Sequence, residues 1–90
     1  MAKAILSGFY VKQTGPARRM TLDATRDGHG NYHVMLTRYR DDRGFTEFDG
    51  KADILLSTKD PAAARAAMEK VLSESTGWLH SKSLPGGRFR

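Results

Sequence analysis

From Arg19 to Thr25 the chain alternates strictly: Met20, Leu22 and Ala24 are apolar, and Arg19, Thr21, Asp23 and Thr25 are polar. A period of two puts one set on each face of an extended chain, so this segment is predicted to be a strand with one core-facing side. Tyr32 to Arg40 reads the same way. Tyr32, Val34 and Leu36 make one face, and His33, Met35, Thr37 and Tyr39 make the other. Ala4 to Lys12 alternates more loosely, with Ile5, Phe9 and Val11 on one side and Leu6 and Tyr10 on the other, as in a strand covered on both faces. Thr14-Gly15-Pro16-Ala17 is a turn between the first two strands. Asp27-Gly28-His29-Gly30-Asn31 reads as a flexible connection between the next two. Asp41-Asp42-Arg43-Gly44 closes a hairpin onto Phe45 to Phe48. The following Asp49-Gly50 fits either a second tight turn or a bulge inside one strand running to Leu56, and the sequence leaves both open.

The period changes after Leu56. Within Ser57 to Gly77, Ala64, Ala67, Met68, Val71 and Leu72 fall on one helical stripe, with Arg65, Glu69, Lys70 and Glu74 outside it. Asp60 is placed to cap the helix and Pro61 to occupy its first position, where a missing N–H costs nothing. Gly77 reads as the left-handed stop. Beyond it, Trp78 to Leu84 is either a last edge strand or a segment that packs Trp78 under the helix end. The expected fold is therefore α+β: an antiparallel sheet of four to five strands with one helix packed on one face. Residues 1–84 form a single domain and 85–90 a flexible basic tail.

Ninety residues, 39% of them hydrophobic, allow one modest core. Without cysteine there is neither a disulfide framework nor a thiolate metal site. The N-terminal apolar run is broken by Ser7 and Gly8 and lacks a cleavage signature, so it is read as structure, not as a signal peptide. No stretch approaches a membrane span. A soluble, cytoplasmic protein is expected. The net charge of +5 sits at the ends. Residues 1–22 carry Lys3, Lys12, Arg18 and Arg19 with no acid, and residues 78–90 carry Lys82, Arg88 and Arg90 with none. Between them, residues 23–77 hold eight basic and ten acidic side chains. A nucleic-acid-binding body more often carries a basic stripe on its own framework.

Catalytic patterns are weak. The serines occupy no nucleophile-elbow turn, no His–acid pairing is suggested, and Asp41-Asp42 and Asp49 are explained by turn chemistry. His29, His33 and His80 do not converge through local spacing, so surface histidines are expected and no metal or cofactor. Gly28-x-Gly30 precedes a strand, whereas a phosphate cradle requires a helix. The sequence thus argues against an enzyme. The strongest binding candidate is Thr37 to Arg43, where Arg38 and Arg40 project to one face, Tyr39 to the other, and Arg43 lies at the turn tip. Arg18 and Arg19, leaving the first turn, join Arg38, Tyr39, Arg40 and Arg43 as expected partner-binding residues. The arginines suit phosphates or acidic protein surfaces, and Tyr39 suits an interface anchor.

Two resemblances bear on function. Tyr32-x-Val34-x-Leu36 through Thr58-Lys59-Asp60-Pro61-Ala62 resembles the arm-binding N-terminal modules of tyrosine integrases. In those modules a three-stranded sheet enters the DNA major groove with a helix behind it. Gly30-Asn31-Tyr32-His33-Val34, with Ser57-x-x-Asp60-Pro61-Ala62-Ala63-Ala64 and Ala67-Met68, is similar to small phage-encoded anti-CRISPR proteins of the type I inhibitor kind. That resemblance implies a non-enzymatic, stoichiometric inhibitor of a nucleic-acid-processing complex, acting in the host cytoplasm on a larger protein or ribonucleoprotein. The integrase resemblance implies DNA binding by the sheet; the alternative reading from the residues themselves is direct DNA or RNA binding through the hairpin arginines and basic termini.

Overall fold

The computed structural model describes residues 4–42 and 45–82, with side chains described for residues 4–40 and 52–82. Arg43 and the 85–90 tail thus lie outside the described residues. Five strands and one helix follow in the order β1 (Phe9–Gly15), β2 (Arg18–Arg26), β3 (Tyr32–Asp42), β4 (Phe45–Thr58), α1 (Pro61–Glu74) and β5 (Leu79–Ser81). They form one antiparallel sheet in the spatial order β4-β3-β2-β1-β5. The first four strands are a meander. Because β4 and β5 run the same way at opposite edges, the chain must cross the sheet between them, and α1 makes that crossing over one face. The fold is α+β, as the periodicities predict.

Register explains which side chains meet the helix. Leu22 lies opposite Leu36, and Ala24 opposite Val34, which in turn faces Leu56. Directly opposed residues share a face, so these apolar rows form a continuous floor under α1. Ala64 and Met68 descend onto it, and Leu22, Val34, Ala64 and Met68 are fully buried. Ala67, Val71, Leu72 and Trp78 pack around that centre, half-buried. The Asp60 carboxylate accepts from Ala62 N at 3.0 Å, which is the expected cap. At the other end the helix stops at Glu74 with Ser75 extended, and Gly77 (φ 95°) stands past the stop. Its left-handed backbone turns the chain into β5 and does not itself end the helix. Trp78 fulfils both alternatives: it packs on the core, and the next three residues form the edge strand.

Two segments depart from simple alternation. The strand expected from Ala4 begins only at Phe9. The chain before it is held to the helix at Ala4, where Glu69 Oε2 accepts from Ala4 N (2.8 Å) and Arg65 Nε donates to Ala4 O (3.1 Å), and lies against β5 by Ser7, whose carbonyl oxygen is 2.8 Å from His80 Nε2. Gly8 (φ 74°) permits the bend, and a Cβ there would sit 2.5 Å from the Ser81 carbonyl oxygen. The Asp49-Gly50 ambiguity resolves as a bulge. Thr37 pairs with Ala52 and Tyr39 with Phe48, so Arg38 alone faces residues 49–51 within one strand. A second bulge follows: Val34 pairs with Leu56 but Met35 with Ile54, leaving Leu55 over. This extra residue sends Ile54 to one face and Leu56 to the other.

Candidate functional site

Along β2 and β3 the apolar floor gives way to arginine. Beyond the Leu22–Leu36 pair come Met20 opposite Arg38, then Arg18 opposite Arg40, all on the helix-side face. Successive same-face positions are about 6.8 Å apart along a strand and neighbouring strands about 4.8 Å apart. Three guanidinium stems therefore rise from one small area past the buried core. Asp53, opposite Leu36 on the same face, accepts from Arg38 Nη1 at 3.2 Å. β4 thus supplies a countercharge within the patch. Arg19 and Tyr39 are also direct partners, but on the opposite face. The residues singled out in the sequence thus divide into an Arg18–Arg38–Arg40 group and an Arg19–Tyr39 pair, separated by the thickness of the sheet.

The helix-free face is not a plain solvated surface. At its centre Thr21 opposes Thr37, and both are buried, as is Asp23 opposite Met35. Burial pushes the Asp23 carboxyl above its ordinary value, partly offset by the Thr25 hydroxyl that donates to it. Burial also raises the Tyr39 phenol. Near the β1–β5 edge a cleft of about 540 Å³ is lined by Val11, Gln13, Arg19, Leu79 and Ser81. Leu79 is 74% exposed there, and Ile54, at the β4 edge of the same face, is 61% exposed.

A third grouping was not expected. The β2–β3 connection is tightly organised by Asp27, whose Oδ1 accepts from His29 N (2.8 Å) and Asn31 N (2.9 Å). Its Oδ2 accepts from Asn31 Nδ2 (3.3 Å) and lies 2.9 Å from His33 Nε2. These bonds, led by His33, hold the Asp27 carboxyl far below the usual carboxylate range. His33 and Ser57 are directly opposed on β3 and β4, and His33 Nδ1 meets Ser57 Oγ at 2.7 Å. The flexible loop and unpaired histidine expected from sequence are thus replaced by a continuous Asp27–His33–Ser57 relay. His33 and Asp27 are 29% and 31% exposed, and Ser57 is exposed. An ionised carboxylate only accepts, so His33 carries a proton on Nε2, and in the neutral ring the Nδ1 lone pair faces the Ser57 hydroxyl. Asp27 and His33 are six residues apart around an Asx-type turn, a local signal. Ser57 depends on a register that two bulges displace, and no sequence signal places it.

Among the described residues, no cluster of three or more His, Cys, Asp or Glu side chains could hold a metal ion. No described helix is long and apolar enough to cross a membrane. No family model, curated protein or solved structure matches this chain, so the patch, the open face and the relay stand on their own geometry.

Proposed function

We propose that this chain is a small binding protein that docks, one to one, on a larger protein or ribonucleoprotein involved in nucleic-acid processing, and inhibits it by occupancy without chemistry. The observation that carries the reading is the convergence of Arg18, Arg38 and Arg40 on one face past the end of the core. Arginine forks suit carboxylates on a protein surface as well as phosphates. The Arg38–Asp53 pair favours the protein target, because a patch holding its own countercharge releases fewer counterions from a polyanion. The choice of a nucleic-acid-handling complex as target rests on the anti-CRISPR resemblance.

A gel-shift titration against duplex DNA, single-stranded DNA and RNA tests the reading. If three arginines bound three phosphates, affinity would fall roughly 40-fold between about 50 and 200 mM salt, from a slope near −0.9 per phosphate. The expected result is no sub-micromolar complex at either salt. A tight, salt-steep complex lost in Arg38→Glu/Arg40→Glu would reassign the patch to direct nucleic-acid binding.

A further inference from the structure

The docking proposal leaves the Asp27–His33–Ser57 relay without a role, and the relay lies on the other face of the sheet from the three arginines. We propose that Ser57 is an acyl-accepting nucleophile, with His33 Nδ1 as its general base, reactive toward activated esters and thioesters. Three observations support it. The 2.7 Å contact between Ser57 Oγ and His33 Nδ1 is within the reach a general base needs. Asp27, itself fixed by two backbone N–H groups and the Asn31 amide, occupies the other ring nitrogen, so in the neutral ring the lone pair is on the serine side. Ser57 is the next-to-last residue of β4 and is exposed, so an acyl donor reaches it without a pocket.

The proton inventory is that of a Ser–His–Asp triad with the two ring nitrogens exchanged: one N–H faces the carboxylate and one lone pair faces the hydroxyl. In the acylation step the bond from Ser57 Oγ to the acyl carbon forms, and the bond from that carbon to the leaving oxygen or sulfur breaks. The hydroxyl proton passes to His33 Nδ1 and then to the leaving group. No oxidant or further reactant is needed. No oxyanion donor is invoked, so the gain expected is that of a general base alone, about 100-fold at its lower end.

The test treats the full chain with p-nitrophenyl acetate and follows the released nitrophenolate, the intact mass and the modified peptide. One acetyl group per chain on Ser57 is expected, absent in Ser57→Ala. His33→Gln can still bridge the strands by hydrogen bonds but has no basic nitrogen. It should acetylate Ser57 roughly 100-fold more slowly, with added imidazole restoring part of the rate at the same residue. Acetylation confined to lysines, histidines or the N-terminus, or an unchanged Ser57 rate in His33→Gln, overturns the proposal.

Discussion

Replacing Met68 tests the packing on which every surface of this protein depends. Its side chain is fully buried, pressed from α1 into the floor built by Leu22, Ala24 and Val34. Met68→Ala removes the transfer free energy of the lost atoms and leaves a cavity that a sheet on one side and a helix on the other cannot fully close. Buried Met→Ala changes cost about 2–5 kcal/mol, and we expect about 3 kcal/mol here. At about 4–8 °C per kcal/mol for a domain of this size, the thermal midpoint should fall by roughly 12–24 °C. Total stability at roughly 0.05–0.15 kcal/mol per residue is about 5–13 kcal/mol, so the variant should still fold at room temperature. Met68→Asp adds the cost of an unpaired buried carboxylate, several kcal/mol more, and should not fold. Ala66, exposed on the other side of the same helix, is the control: Ala66→Lys should change stability by less than about 0.5 kcal/mol. Thermal melts followed by circular dichroism read all three. A cooperative melt of Met68→Asp near the parent's temperature would refute the placement of the helix.

Two positions with left-handed backbone should respond in opposite directions. Gly8→Ala forces a Cβ against the Ser81 carbonyl oxygen at positive φ, so a loss of at least about 1–2 kcal/mol is expected, with β5 loosened first in hydrogen exchange. Ala17 adopts φ 57° in the β1–β2 turn, and Ala17→Gly should raise stability by up to about 1 kcal/mol; a lower melting temperature would contradict that. Asp23→Asn removes a carboxylate whose folded-state pKa is raised by burial. The folded state therefore holds that proton more tightly than the unfolded chain, and at neutral pH the ionised group costs stability. The variant should melt higher than the parent at pH 7. Its advantage should shrink as pH falls through the raised value and vanish below the ordinary value of 3.8, and an advantage independent of pH would count against the burial argument.

The sequence by itself determined the elements whose signals are local. Alternation through Arg19–Thr25 and Tyr32–Arg40 assigned two central strands and their faces, because the side-chain period of an extended chain is fixed at two. The Asp60-Pro61 start and the stripe through Ala64, Met68 and Val71 placed the helix, because capping and the 3.6-residue period are also local properties. The same alternation put Arg38 and Arg40 on one face and Tyr39 on the other. Only the tertiary structure decided what depends on pairing between distant segments. Ala4 to Gly8 has strand-like composition, yet Glu69 and Arg65 hold its first residue, Ala4, to the helix, contacts separated by more than sixty residues. That Arg18 joins Arg38 and Arg40 follows from the β2–β3 register. The Asp27–His33–Ser57 relay needs the bulge at Leu55, which shifts β4 by one residue and brings Ser57 opposite His33. Such a shift leaves the composition unchanged while reversing which face each later side chain occupies. That is why this arrangement could not be read from the order of its residues.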